Sequence, residues 1–267
     1  MKRKGIYKPT IEDIIEISGI EALHPGGMAL TERTGILAGL KPGMKVLDVS
    51  SGRGTQSIFY AKKFGVDVTG IDISEEMINS AKKNAIHENI ENLTTFELGD
   101  SQELPFEDEI FDVVINECAV GIPDDSQKVL DEMVRVAKKG STIIIHESTW
   151  RGKLTENEKD EISERYGITP LEYEEWIDML KKAGVDDITT ELEEWSKPEM
   201  FWKIRRDREV KNFTDIYTRK ELAALIGKVS NKYGEKGVKI ALDNQKIFTK
   251  TILDGKLGYC LYKGIKK

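Results

Sequence analysis

Five side chains able to hold a ligand or move a proton fall at the ends of apolar runs: Asp48, Asp72, Asp100, Asn116 and His146. Asp48 interrupts the run Val46-Leu47-Asp48-Val49, and Ser50-Ser51-Gly52-Arg53-Gly54 follows it. An apolar strand, a small-residue turn and the N-terminus of a following helix make a cradle for a nucleotide-like ligand. Gly52 and Gly54 let that ligand approach the backbone where a side chain would block it. The next apolar run ends in Asp72, 20 residues past Gly52. An acid there is placed to accept hydrogen bonds from two ribose hydroxyls. Asp48 before the turn suits a ligand carrying an ammonium group rather than a pyrophosphate.

Candidates for proton transfer lie beside these positions. His24, in Leu23-His24-Pro25-Gly26-Gly27, reads either as a base on a loop that glycines let approach a ligand, or as a turn residue set by Pro25 and Gly26. Glu117 and Cys118 follow the run ending at Asn116. Cys118 reads as a nucleophile or as a small buried side chain. His146 faces a pocket or sits satisfied in the core. The two cysteines, Cys118 and Cys260, lack metal-ligand spacing, so no metal site is expected.

Taken together, Asp48-x-Ser-Ser-Gly52-x-Gly54, Asp72, Gly99-Asp100-Ser101 and Phe111-Asp112-Val-Val-Ile-Asn116 resemble the class I S-adenosylmethionine-dependent methyltransferases. The resemblance covers residues 40 to 150, with Ser50 standing where the family has its first motif glycine. It implies S-adenosyl-L-methionine as cofactor. Asp48 and the turn Ser50, Gly52 and Gly54 would hold its methionine part, with Asn116 near it. Asp72 would hold the ribose, with Ile73 in the same pocket, and Asp100 and Ser101 would flank the adenine. His24 and Glu117 are the candidates for catalysis. Methyl transfer from a sulfonium needs alignment and exclusion of water, and needs a base only if the acceptor arrives protonated.

The elements that must position these residues alternate between strand and helix, as in a doubly wound, mostly parallel α/β sheet. The expected architecture is a Rossmann-like seven-stranded sheet with N-terminal helices and a helical insertion before the last strand. Residues 1–40 read as an N-terminal helical cover, 41–195 as the cofactor-binding core, 196–256 as a helical cap and 257–267 as the last core strand. The alternative is that the helices of 196–256 extend the outer layer. Thr10-x-x-Asp13, Thr155-x-x-Glu158, Thr169-Pro170-x-Glu172 and Thr218-x-x-Glu221 read as helix starts. A helix is expected over Leu30–Leu40, strand six over Ile188–Leu192 and the last strand over Leu257–Lys263.

A net charge of −7 argues against a nucleic-acid partner. Within that total, residues 197–256 carry 15 Lys plus Arg against 8 Asp plus Glu. Arg205, Arg206 and Arg208 therefore read as a site for an anionic acceptor, or as a basic face lying on the acidic stretch before it. The four tryptophans read as core, or as a cage for a cationic amine. No apolar run is long enough to span a bilayer, and the sparse cysteines fit a cytoplasmic protein. The expected activity is methyl transfer to a small-molecule acceptor. The competing readings are an RNA- or protein-modifying methyltransferase and a nucleotide-cofactor oxidoreductase.

Overall fold

A computed structural model describes residues 7–18, 24–201 and 217–267. Arg205, Arg206, Arg208 and Trp202 lie outside these described residues. The chain divides into two compact units, a sheet unit (Ala29–Glu147, Glu174–Glu191, Cys260–Lys267) and a helical unit (Met1–Met28, Ser148–Tyr173, Leu192–Tyr259).

In the sheet unit, β1 (Lys45–Val49), β2 (Asp67–Asp72), β3 (Thr94–Leu98), β4 (Phe111–Glu117) and β5 (Ala137–Trp150, its last three residues in the helical unit) run parallel. The full order is β3-β2-β1-β4-β5-β8-β7, with β8 (Leu257–Lys266) antiparallel to β7 (Val185–Glu191). Helices α2 (Gly27–Leu37), α3 (Thr55–Phe64), α4 (Glu75–His87), α5 (Ser126–Val136) and α7 (Tyr173–Ala183) accompany these strands. Val46, Leu47, Val49, Val114, Ile115, Ile144 and Ile145 are fully buried, as expected for strands covered on both faces. Strand order reverses between β1 and β4, and crevices for ligands open at such a switch point. Register places Val49 opposite Asn116, and Glu117 opposite His146, so the candidate residues share one level at the carboxyl edge.

The helical unit is built on α1 (Ile11–Ser18), α6 (Glu156–Tyr166) and α9 (Arg219–Leu253), with the four-residue α8 (Pro198–Phe201). Thr10 and Asp13 exchange hydrogen bonds at the start of α1, and capping boxes at Thr155/Glu158 and Thr218/Glu221 start α6 and α9. The buried guanidinium of Arg165 on α6 bonds Glu161, Asp243 and Asn244 and lies 3.9 Å from the Tyr7 ring centroid. Asn244 in turn donates to the carbonyls of Tyr7 and Pro9. A cavity of about 380 Å³ between α1 and α6 is lined by Thr10, Glu12, Asp13, Glu16 and Glu164, among others.

Several boundaries differ from expectation. The sheet has eight strands rather than seven, because Leu171–Glu172 (β6) pairs with Thr149–Trp150. That pairing keeps Pro170-Leu171-Glu172 extended, so the helix expected from Thr169 begins at Tyr173 instead. The second helix starts at Gly27, three residues before the expected Leu30, and ends at Leu37. Strand β7 starts at Val185 rather than Ile188, and β8 continues to Lys266 rather than stopping at Lys263. Helix α9 extends to Leu253, with a break at Gly234, whose φ of 71° only glycine adopts without strain. Trp150, Trp176 and Trp195 are buried, as the core reading expects. Among the described residues no helix is long and apolar enough to cross a membrane.

Two stability outcomes follow. Asn244→Ala orphans two carbonyls and one guanidinium contact in a buried site, and is expected to lower the unfolding free energy by about 2–3 kcal/mol in urea titration. Burial, then Asp13 and Glu16, push the Glu12 carboxyl up from 4.5 to about 8. The folded state therefore holds that proton more tightly than the unfolded chain. Its stabilising contribution is complete below pH 4.5 and is lost as pH rises through about 8. Thermal unfolding of Glu12→Gln against the parent across this window should show the variant gaining relative stability toward the alkaline side.

Candidate active site

The turn after β1 is shaped by backbone conformation. Ser50, Gly52 and Gly54 have φ of 61°, 54° and 73°, all left-handed. A Cβ at Gly54 would lie 2.6 Å from Phe96 and 2.9 Å from Ala81, two members of the cluster Ile58, Ile78, Ala81, Ala85 and Phe96 beneath the turn. Only glycine allows both the conformation and the close packing there. Asp48 is 2% exposed and accepts a 2.5 Å hydrogen bond from Ser57 in the first turn of α3.

Asp72 joins the turn to the next helix. Its Oδ2 accepts from the Gly52 N–H at 2.9 Å, and its Oδ1 accepts from the Ser74 N–H at 2.9 Å, where Ser74 caps α4. Each carboxylate oxygen has a second lone pair for a further donor. Beside it Ile73 is 73% exposed, and Leu98 at the end of β3 is 57% exposed. Gly99 N–H donates to the Asp72 carbonyl, which ties the end of β3 to that of β2. Asp100 then accepts from the Gln102 N–H, and Ser101 is buried. Gly52, Ser74 and Gly99 bond Asp72, while Asp48, Ser50, Gly54, Ile73, Asp100 and Ser101 lie at or just past the carboxyl ends of β1, β2 and β3.

A second group forms at the ends of β4 and β5. Asn116 is fully buried, and both ends of its amide bond backbone: Nδ2 donates to the Val49 carbonyl and Oδ1 accepts from the Ala119 N–H. It clamps β4 to β1. Glu117 accepts from the Tyr60 hydroxyl at Oε1 and from the Thr31 hydroxyl at Oε2, the latter at 2.8 Å. Cys118 follows with φ of 69°, a strained value for a non-glycine residue, and its N–H donates to the His146 carbonyl. Thr34 Oγ1 lies 2.5 Å from His146 Nε2. Glu147 is 2% exposed and accepts from the Val120 N–H, which shapes the loop after β4. Burial first, then Glu117, push the Tyr60 phenol well above its ordinary pKa. Sequence reading passed over Tyr60, Thr31, Thr34 and Glu147. The available signal was Thr31 and Thr34 spaced one helical turn apart, and Tyr60 one turn past Ser57.

His24 falls in the helical unit, buried, with its Nδ1 donating to the Pro25 carbonyl at 2.8 Å. The Gly27 N–H returns to the His24 carbonyl, closing the turn.

Residues 40–196 match the protein family described as a methyltransferase domain. The chain belongs to this family. It is a class I S-adenosylmethionine-dependent methyltransferase of the small-molecule type. That membership removes the oxidoreductase alternative. Methyltransferase GfsG of Streptomyces halstedii is 29% identical over 187 residues, covering 68% of this chain and 67% of that protein. Phosphoethanolamine N-methyltransferase 1 of Arabidopsis thaliana is 26% identical over 208 residues, 76% of this chain and 41% of that one. The structure of Haemonchus contortus phosphoethanolamine N-methyltransferase 2 with phosphomonomethylethanolamine and S-adenosylhomocysteine superposes with a TM-score of 0.73. At 22% identity, over 96% of this chain and 57% of that one, this last likeness shows the fold alone. The methyltransferase thus spans about half the length of these two phosphoethanolamine enzymes.

Because Asp72 holds both Gly52 and Ser74, its loss should loosen the turn as well as remove a ligand acceptor. Asp72→Ala is expected to weaken S-adenosylhomocysteine binding by on the order of 2–4 kcal/mol in titration calorimetry. Unchanged affinity would show that the methyltransferase does not depend on this carboxylate.

Proposed function

We propose that the methyltransferase moves a methyl group to the nitrogen of a small amine, and that Glu117 is the carboxylate that meets the amine. When bound, the cofactor supplies an electrophilic methyl carbon on a sulfonium. The residues fit that group: the Gly52–Gly54 turn leaves the backbone open, and the exposed Ile73 and Leu98 offer apolar faces on which a purine can rest. In this reading Ser50, Gly52, Gly54 and Asp48 hold the amino-acid end, Asp72 the ribose, and Ile73, Asp100 and Ser101 the base. Asn116 acts by positioning, since its amide is committed to backbone at both ends.

The observation that carries the acceptor assignment is the doubly hydrogen-bonded Glu117, one residue beyond the clamp at Asn116. Two hydroxyl donors favour its ionised form and fix its plane. An amine arrives largely as ammonium at neutral pH and has no lone pair until a proton leaves. A fixed carboxylate attracts the cation and accepts that proton. The phosphoethanolamine N-methyltransferases among its relatives act, by their names, on an amine. Trapping of an anionic acceptor by Arg205, Arg206 and Arg208 concerns residues outside those described. His24 stays a candidate base for the same step. Among the described residues neither cysteine is in a disulfide, which suits a reducing cytoplasm.

The test is turnover of methyl-labelled S-adenosylmethionine with a panel of small amines and their hydroxyl and thiol analogues. The expected result is label on an amine. Glu117→Gln should lower kcat by about 10²–10⁴-fold with cofactor affinity unchanged. Label on RNA, on protein or only on the thiol and hydroxyl analogues would overturn the assignment.

A further inference from the structure

The cavity between α1 and α6 belongs wholly to the helical unit, and neither the cofactor turn nor Glu117 lines it. It holds about 380 Å³, a volume in the range of small-molecule sites, roughly 300–1,000 Å³. Four carboxylates line it, Glu12, Asp13 and Glu16 from α1 and Glu164 from α6, against the single ammonium of Lys8. The C-terminus of α6 lies at its wall as well, since Ser163, Glu164 and Gly167 are lining residues and the Gly167 N–H closes the helix on the Ser163 carbonyl. A helix end of that polarity adds to the field of the acids. A Cβ at Gly167 would stand 2.8 Å from Thr10 Oγ1 and 3.2 Å from Glu12 Cβ, so the start of α1 is fitted closely against the end of α6.

The acids differ in what occupies them. Asp13 is engaged in starting α1: it accepts from the Thr10 N–H and hydroxyl, and from the Tyr233 hydroxyl of α9. Glu12 and Glu164 are half-buried, and among the described residues neither has a hydrogen bond or an ion pair. Burial, then Asp13 and Glu16, hold the Glu12 proton up to about pH 8. A cation in the cavity would reverse that balance and release the proton to solvent. A divalent metal needs several oxygens around one point. Among the described residues, no three carboxylates of this cavity come close enough to share one ion. The walls also include the buried Ile15 and Ile168 and the hydroxyl side chains Thr10, Ser163 and Thr169. Dispersed acids beside an apolar wall suit ammonium groups carried on an alkyl chain.

We propose that this cavity is a binding site for a small organic cation, an alkyl diamine, whose ammonium groups are met by the Glu12 and Glu164 carboxylates. The site is separate from the acceptor assignment and does not rest on it.

Titration calorimetry of the full-length chain with 1,4-diaminobutane, with 1,4-butanediol and with Mg²⁺ tests the proposal. The diamine should bind saturably and the neutral diol should not, in the parent and in Glu117→Gln alike. Glu12→Gln and Glu164→Gln should each weaken diamine binding by about tenfold or more, because each removes a charge-assisted contact. The ammonium groups stay charged below about pH 10, whereas Glu12 loses its proton near pH 8. Diamine affinity should therefore rise by about tenfold between about pH 6.5 and 8.5, and Glu12→Gln should abolish the rise. Unchanged binding of S-adenosylhomocysteine confirms that each variant is folded, and if one does not fold, the pH dependence of the parent decides. No saturable diamine binding, binding of Mg²⁺ alone, or an affinity independent of pH would overturn the proposal. So would diamine binding that survives both Glu12→Gln and Glu164→Gln but is lost in Glu117→Gln, since the amine would then sit beside Glu117. Failure to turn over any amine would refute the acceptor assignment and leave binding in this cavity unchanged.

Discussion

Carboxylates buried at the ends of parallel strands are the constraint on which this site depends. Removing an ion from water costs several kcal/mol unless donors replace the lost hydration. Asp48 and Glu147, each 2% exposed, and the half-buried Glu117 are all met by donors from neighbouring elements. Ser57 donates to Asp48, Tyr60 and Thr31 to Glu117, and the Val120 amide to Glu147. The first turns of α3, the middle of α2 and the loop after β4 are thereby drawn onto the carboxyl edge. Helix placement and charge solvation are the same problem here. A helix shifted along its axis would move its hydroxyls off the carboxylates and leave the charge uncompensated.

The glycine turn and Asp72 solve a related problem at the other half of the edge. A turn with three left-handed residues has amides that no strand can satisfy. Asp72 accepts one of them and the N-terminal amide of the next helix segment, so one side chain fixes the geometry of both. Phe96 packs where a Cβ at Gly54 would stand, which sets the depth of the turn from beneath. Ile73 and Leu98, just past the end of β2 and at the end of β3, are exposed apolar side chains beside this turn.

Much of this was readable from local pattern. An apolar run, a small-residue turn and a helix start are encoded by adjacent residues, and so are the caps at Thr10, Ser74, Thr155 and Thr218. The errors came where distant pairing outweighed local preference. Thr169-Pro170-x-Glu172 has the composition of a helix start, yet its last residues bond the end of β5. The backbone hydrogen bonds available there exceed what a cap supplies, and the helix waits until Tyr173. Tyr60, Thr31 and Thr34 went unnoticed for another reason. Thr and Tyr at helical spacing are ordinary core residues until a partner from another element is known.

The sequence by itself determined the parallel sheet, the glycine turn and the acids that end its strands, because each is set by neighbours within a few residues. It also carried the family likeness that residues 40–196 bear out. Tertiary structure alone decided which side chains meet Glu117 and His146. Those meetings join positions 57 and 112 residues apart, through the register of β4 on β5 and the packing of α2 and α3. No local period encodes a hydrogen bond across such distances. Burial of charge does so, since the fold is stable only where each carboxylate finds its donors.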